Sequence, residues 1–485
     1  MDRGAPRRGS SAVAAAAVLL ASGCAVAPSR FVAARAPEAP DRPLPVPELP
    51  AEPGPPPAPP QGPTIPGAPR SLGDLLDLAL SRDPATRATW HEARAAVAAA
   101  GSERSAYLPT LDVAGTFARS QTPSGTATGE TLGTAGTVSA SLTWLLLDLG
   151  ERAAAVRESD RLALAASLAH RAAVADLILA VQEDYYAYLA ALALVEAQRS
   201  TVTQAQTSLA AAEDRRRAGV ATVADVLQAR TALSQARLVL QQIEGGSLVR
   251  RGQLASTVGL PPTTQLEVGA LPSRVEVGPA APEVDALLAD AAARNPDLAQ
   301  ARAIADAAEA GAAAAGRSGL PTLSGQAGAG RTWYVAPDEG TADAWSGGLV
   351  LRFPLFEGFR TRFDAHAARE RAAASRARAE ATAQGVAVGV WTSYQAVRTA
   401  VLRVETSADL LASATASAEV ANARYKEGVG SILDLLNAQS ALALARAEDV
   451  LARTDFFVSL ARLARATGRL PAAPDGPATP RGASP

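Results

Sequence analysis

The stretch TVSASLTW, residues 137–144, alternates strictly between hydroxyl-bearing and apolar side chains. Because successive side chains of a strand point to opposite faces, this pattern predicts a β-strand with one polar and one apolar face. The same alternation recurs in both halves of the chain. It predicts four strands, at about 110–121, 134–147, 322–334 and 344–354.

These predicted strands are long enough to cross a membrane, since a tilted transmembrane strand needs about 9–11 residues. Aromatic side chains lie near the strand ends, as in the girdles of membrane barrels. They are Phe117, Trp144, Trp333, Tyr334, Trp345 and Phe353. The alternative is a pair of soluble hairpins that pack one face on a core. Because aromatic residues make up only 4% of the chain, their concentration at strand ends favours the membrane.

The second half of the chain repeats the first over roughly 200 positions. The recurring pairs are Pro84 and Pro296, Pro109 and Pro321, Gly219 and Gly428, and Asp225 and Asp434. The offset is 212 residues for the prolines and 209 residues for the glycines and aspartates. A duplication of this length indicates one structural unit that is used twice. We expect the first repeat at 71–262, a linker at 263–282, the second repeat at 283–470 and a disordered tail at 471–485.

Long proline-free segments follow each predicted hairpin. They predict helices at about 151–217, 222–258, 361–426 and 431–467, and the first would be roughly 100 Å long. Within them, Gly245, Gly246 and Gly252 are expected to break or weaken the second helix. Gly385 and Gly389 are expected to mark a weak point in the third.

The N-terminal residues 1–23 have the pattern of a signal peptide, with arginines followed by a short apolar run. The sequence LASGC then ends at Cys24, and this resembles a bacterial lipobox. Since Cys24 is the only cysteine, it cannot form an intrachain disulfide, and we expect it to be lipidated, for example with palmitate. The alternative is an ordinary signal with a fortuitous cysteine. Residues 24–70 are rich in proline and are expected to form a lipid-anchored, disordered tether.

The strand count constrains the assembly. Four transmembrane strands cannot close a barrel, and open sheet edges are not tolerated in lipid. Two copies would give eight strands and a filled tube, whereas three copies would give twelve strands and room for a lumen. We therefore predict an internally duplicated α+β membrane protein. Three chains would form a 12-stranded transmembrane β-barrel that continues into a long periplasmic α-helical barrel.

Composition argues against several functional classes. The net charge of −2 provides no basic field for nucleic acid. The three histidines, His91, His170 and His366, are far apart and lack a second ligand at metal spacing. No phosphate-binding loop or catalytic triad pattern is present in the sequence. We therefore expect no enzyme activity, no cofactor and no metal site.

Several segments together resemble the TolC-like outer membrane efflux proteins. The most specific are Asn295-Pro296 with Leu320-Pro321, FPLFEG at 353–358, and RYKEG at 424–428 followed by DLL at 434–436. The resemblance covers about Gly73 to Gly468. It implies a passive homotrimeric exit channel of lipoprotein type in the outer membrane, in contact with outer-membrane lipid and extending through the periplasm. It also implies a periplasmic adaptor and an inner-membrane pump of the RND or ABC type as partners.

The resemblance places the helix-to-helix turns at the periplasmic tip. Gly219 and Gly428 would be the turn residues, and Val220 and Val429 would begin the segments that form the closed entrance and contact the adaptor. Asp225 and Asp434 follow in these segments, where they could take part in gating. The alternative is that each is simply an acid in the first turn of a helix, a position that the helix dipole favours.

Two positions depart from the family pattern at this entrance. Asp434 matches an entrance carboxylate of the family, but Asn437 stands where a second carboxylate is expected. Gly430 stands where the family has an arginine that takes part in gating. The closed-state contacts of the family are therefore not carried over intact.

Two alternatives remain at this point. The chain could be a periplasmic coiled-coil adaptor or structural lipoprotein without a pore, although an adaptor would carry a continuous small β-domain in place of two separated hairpins. A channel could also serve protein secretion instead of small-molecule efflux, because the conduit is generic and the pump selects the cargo.

Overall fold

A computed structural model describes residues 70–123, 130–272, 275, 283–336 and 339–469 of the 485-residue chain. The described elements are the helices α1 (Leu72–Arg82) and α2 (Pro84–Ser105), the strands β1 (Thr110–Pro123) and β2 (Glu130–Leu147), the helices α3 (Glu151–Arg217), α4 (Val223–Thr257), α5 (Val284–Arg294) and α6 (Pro296–Ala315), the strands β3 (Thr322–Ala336) and β4 (Gly340–Arg352), and the helices α7 (Arg360–Lys426) and α8 (Ile432–Thr467). The same order of elements occurs twice. Cys24, the predicted signal peptide and the predicted tail lie outside the described residues.

The four strands form one antiparallel sheet in the order β1, β2, β3, β4. Leu142 of β2 lies opposite Leu111 of β1 and Ala327 of β3, and Ala327 lies opposite Gly347 of β4. Because directly opposed residues share a face, the predicted apolar face is continuous across all four strands. The outer sides of β1 and β4 pair with no other strand in the described part of the chain.

The strands are slightly longer than the alternation predicts. β1 extends to Pro123 and β2 begins at Glu130, so the ladder of the first hairpin continues beyond the predicted ends. The second hairpin also extends, because β3 reaches Ala336. β4 ends at Arg352 and not near residue 354, since Pro354 has no N–H to donate to a ladder.

The four long helices agree with the predicted ranges to within one or two residues. The expected interruption of α4 at Gly245, Gly246 and Gly252 is wrong, because α4 is one continuous helix. The helix α7 is also continuous across Gly385 and Gly389, so the weak point expected there is not a break. A glycine inside a helix costs only about 1 kcal/mol relative to alanine.

The chain divides into two compact units, of which the first contains residues 90–167 and 300–379. This unit holds the sheet and the helical segments that lead into and out of it. Its helical part is packed through small side chains, since Val97, Ala100 and Ala163 form a buried cluster. Alanine at such positions lets neighbouring helix backbones approach closely, as the composition predicts.

Of the described residues, the second unit contains 70–89, those within 168–299, and 380–469. Its main core joins α1, α3 and α4 and includes Leu75, Ala79, Val181, Tyr188, Leu254 and Val258. The predicted linker also contributes, because Leu266 and Leu271 are buried in the same cluster and the Tyr188 hydroxyl donates to the Leu266 carbonyl over 3.3 Å. Among the described helices, α3 alone is long and apolar enough by composition to cross a membrane, and several of its apolar side chains belong to this core.

Two equivalent glycines close the ends of the repeats. Gly259 and Gly468 have φ angles of +74° and +71°, in the left-handed region that favours glycine. A Cβ on Gly468 would lie 2.6 Å from the backbone of Arg294, and a Cβ on Gly259 would lie 2.8 Å from the Cβ of Arg82. Each glycine therefore seats the end of its repeat against the last residue of the short helix that begins it, α5 or α1.

We expect Gly468→Ala to lower the midpoint of thermal unfolding, followed by circular dichroism, because alanine would be strained at positive φ and would also meet the Arg294 backbone. The left-handed conformation alone costs about 1–2 kcal/mol. Gly269→Ala is the matched control, since a Cβ there meets nothing within 4 Å. Equal midpoints for the two variants would contradict this account of the repeat ends.

Candidate functional site at the helix-to-helix turns

The turns between α3 and α4 and between α7 and α8 are built alike. Gly219 and Gly428 have φ angles of +77° and +81°, as predicted for turn residues. The next residue closes each helix: the N–H of Val220 donates to the Arg215 carbonyl over 2.9 Å, and that of Val429 donates to the Arg424 carbonyl over 3.0 Å. Such bonds satisfy carbonyls that would otherwise lack a partner at a helix end.

Reciprocal hydrogen bonds start the helices that follow the turns. The Asp225 N–H donates to the Thr222 hydroxyl over 3.2 Å, and the Thr222 N–H donates to the Asp225 carboxylate over 2.8 Å. Ser431 and Asp434 make the same pair of bonds over 3.1 Å and 3.3 Å. Both aspartates are therefore helix-capping residues. This agrees with the alternative stated above, in which each is an acid in the first turn of a helix.

The Asp434 carboxylate remains charged as well as capped. The Ser431 side chain and backbone N–H hold the pKa of Asp434 below its ordinary value, and the nearby Arg424 lowers it further. Asp434 and Asn437, one turn later, are both exposed. The Asp434 carboxylate can therefore cap α8 and still face the solvent as an anion.

A contact that the sequence analysis missed joins the two turns. The Arg215 Nη1 donates to the Tyr425 carbonyl over 2.7 Å. The Arg215 guanidinium also lies over the Tyr425 ring, with its Cζ 5.0 Å from the ring centroid. Gly428 leaves room for it, since a Cβ there would lie 3.4 Å from the guanidinium. The run Arg215-Arg216-Arg217 and the motif RYKEG were visible signals, but neither indicates which arginine meets the tyrosine.

Tyr425 anchors a small apolar cluster beneath this contact. The cluster joins α3, α4, α7 and α8 through Ala212, Val226, Ala229, Tyr425, Ile432 and Leu435. Burial raises the pKa of the Tyr425 hydroxyl, and that oxygen has no hydrogen-bond partner in the described structure. The ring therefore acts as an apolar anchor and a cation acceptor, and the two turns are held together as one unit.

The remaining residues of the two turns are exposed or tightly packed. Val220 and Val429 expose 64% and 69% of their surface, although both are apolar. Gly430 is constrained, because a Cβ there would lie 3.1 Å from the Arg424 Cβ and 3.2 Å from the Tyr425 backbone nitrogen. A side chain at residue 430 would therefore require the neighbouring atoms of Arg424 and Tyr425 to move by a few tenths of an ångström.

Comparison with known proteins identifies the family. The sequence model for outer membrane efflux proteins matches residues 75–260 and 287–469. The chain belongs to the outer membrane efflux protein family. Each matched segment falls within one of the two predicted repeats.

Two curated relatives of this efflux protein have similar length. Protein CyaE of Bordetella pertussis is 31% identical over 405 residues, which cover 82% of this chain and 84% of CyaE. Outer membrane protein OprJ of Pseudomonas aeruginosa is 28% identical over 404 residues, which cover 81% of this chain and 83% of OprJ. The fold is similar to that of the outer-membrane channel OprN, with a TM-score of 0.75, 22% identity and coverage of 82% and 89%.

Membership confirms the prediction of an outer-membrane exit channel and its location in the outer membrane. The alternative of a periplasmic adaptor lipoprotein without a pore is set aside. The family is one of transport proteins. Within the described residues, no group of three or more His, Cys, Asp or Glu side chains could hold a metal ion.

Proposed function

We propose that this outer membrane efflux protein is a passive conduit made of three copies of the chain. Each copy contributes four strands to a 12-stranded barrel and four long helices to a helical barrel. The observation that carries the proposal is the four-stranded sheet, whose edge strands β1 and β4 pair with no other strand in the described residues. Since lipid cannot satisfy free backbone N–H and C=O groups, each edge must pair with another copy.

The exposed surface of the helices supports the same assembly. Side chains of α7 that would normally be buried are exposed, including Val388, Trp391, Leu402 and Leu410. A helix with so much exposed apolar surface is expected to pack against neighbouring helices. Neighbouring copies would cover this surface in a closed helical barrel.

The proposal extends to the partners and the anchor. A periplasmic adaptor would contact the turns, where Val220 and Val429 offer exposed apolar surface, and an RND or ABC pump of the inner membrane would supply the energy. Lipidation at Cys24 would hold the N-terminus at the membrane surface, with residues 24–70 as its tether. Neither β-barrel nor anchor needs a cofactor.

The two turns would form the gate of this conduit. Gly219, Val220 and Asp225 line the first turn, and Gly428, Val429, Asp434 and Asn437 line the second. The contact between Arg215 and Tyr425 would hold both turns in the closed arrangement. This contact would replace the one made in the family by the arginine at the position of Gly430.

The assembly is tested on full-length protein extracted from the outer membrane in a mild detergent. We expect native mass spectrometry to give a mass of three chains, and planar bilayers to show ion conductance. A monomeric mass, or a trimer that does not conduct, would overturn the barrel. Size-exclusion chromatography at several protein concentrations controls for association caused by the detergent.

The gate is tested by Arg215→Ala. Loss of a charge-assisted hydrogen bond and a cation–π contact would weaken the closed state by about 1–3 kcal/mol, which corresponds to a roughly five- to hundredfold increase in the ratio of open to closed channels. Single-channel recording measures this change. Arg217→Ala is the matched control, because the Arg217 side chain pairs with Asp214 of its own helix. A closed probability that is unchanged in Arg215→Ala would remove this contact from the gate.

The charge of the entrance is tested by Asp434→Asn, which we expect to reduce cation preference, measured as a reversal potential in a salt gradient. Three carboxylates near the axis would favour cations. Because the pKa of Asp434 is lowered, the cation preference of the wild type should persist as the pH falls from neutral to about 4. It should decline below that pH, where the carboxylate takes up a proton. Asn437→Asp should raise the preference. Equal reversal potentials in all three proteins would leave Asp434 as a capping residue alone.

A further inference from the structure

Two arginines and one aspartate, Arg119, Arg331 and Asp343, lie on the largely apolar face of the sheet. That face includes Val113, Phe117, Val138, Trp144, Leu349 and Leu351. Arg119 follows Phe117 by two positions in β1, and Arg331 precedes Trp333 by two positions in β3, so both arginines share this face. In β2, Val138 lies opposite Arg331, which confirms the face independently.

Both arginines lie toward the hairpin ends of the strands, away from the helices. Each stands nine residues after the start of its strand, at Thr110 or Thr322. Nine residues of a tilted strand rise roughly 20–25 Å, which is about the height of the apolar band of a membrane barrel. If the helix ends of the strands lie at the periplasmic interface, Arg119 and Arg331 lie at the outer interface.

The internal duplication reproduces this placement. Arg119 and Arg331 are 212 residues apart, which is the offset of the repeated prolines. Both repeats therefore place an arginine at the same register position on the same face. In a barrel of three copies, six arginines would form a belt around the outer rim. A charge on the lipid face is tolerated near an interface but costly at the midplane.

Within the described residues, most of the N–H donors of Arg119 and Arg331 have no partner. Arg331 Nε and Nη2 donate to the two carboxylate oxygens of Asp343 over 2.6 Å and 2.9 Å. A guanidinium has five N–H donors, so three remain, and 60% of the Arg331 side chain is exposed. Arg119 is exposed and forms no ion pair with the described side chains. Among the described side chains of this face, the two arginines and Asp343 leave one net positive charge for each copy.

We propose that Arg119 and Arg331 bind phosphate groups of a phosphorylated lipid in the outer leaflet. The planar guanidinium fork matches phosphate oxygens, and partial removal from water strengthens each charge-assisted bond. The acyl chains would lie on the apolar face below, beside Val113, Phe117 and Leu349. This proposal rests on the barrel proposed above, because only a closed barrel turns this face toward lipid.

The test uses the full-length protein in dodecyl maltoside, a detergent without phosphate. Lipid A, which carries two phosphates on a glucosamine disaccharide, is titrated against its dephosphorylated form, and bound lipid is measured by native mass spectrometry. We expect the phosphorylated form to bind more tightly. In the double variant Arg119→Gln and Arg331→Gln, its affinity should fall about tenfold or more. Excess inorganic phosphate separates binding of a free anion from binding of the lipid.

Two further variants distinguish lipid binding from a structural role. Arg352→Gln is the matched control, since Arg352 pairs with Thr322 at the opposite end of the sheet and on the polar face. Its lipid affinity should equal that of the wild type. Asp343→Asn removes the partner of Arg331 but keeps the arginine, so lipid affinity should be unchanged or higher. Equal loss in Asp343→Asn and in the double variant would show a structural ion pair and overturn the proposal.

Conductance keeps this proposal separate from the barrel. If the wild type conducts but binds both forms of lipid A equally, the lipid site is wrong and the barrel stands. If the wild type does not conduct, the barrel fails, and with it the assignment of this face to lipid.

Discussion

The pairing of backbone groups at the edges of the sheet is the constraint on which the rest of the structure depends. In lipid, an unpaired N–H or C=O finds no water, so a sheet of four strands with two free edges cannot stand alone. In the channel that we propose, closure by further copies meets this requirement, and the number of copies sets the number of helices in the helical barrel. In that channel, the two similar hairpins and the two similar pairs of long helices of each chain would occupy equivalent positions in one ring.

The helices pack with few bulky aromatic side chains. Aromatic residues are only 4% of the chain, and outside the main core each buried cluster is small and contains alanine. Close contact between backbones replaces large side chains, and this makes the junctions sensitive to a single Cβ. Gly259 and Gly468 show the effect. They occupy equivalent positions in the two repeats, and neither position has space for a side chain. The two repeats are therefore alike at these glycine contacts as well as in the order of their helices and strands.

The sequence was sufficient for the elements and insufficient for some contacts. Alternation in 137–144 and its counterparts located the strands, and the spacing of prolines and glycines located the ends of the helices. The glycines inside α4 misled the prediction of an interruption, because local propensity is weak against the length of a continuous helix. The contact between Arg215 and Tyr425 was not predictable, since it joins residues that are 210 positions apart and depends on the exact rotation of two helices.

That contact also breaks the symmetry of the duplication. At the 209-residue offset, Arg215 corresponds to Arg424, but Tyr425 corresponds to Arg216, so the reverse contact between the repeats has no aromatic partner. In a ring of three copies, six tips would then be tied into three leaves, each made of both tips of one chain. Such an entrance would open by separation of neighbouring chains at their three interfaces, while the two tips of each chain move together.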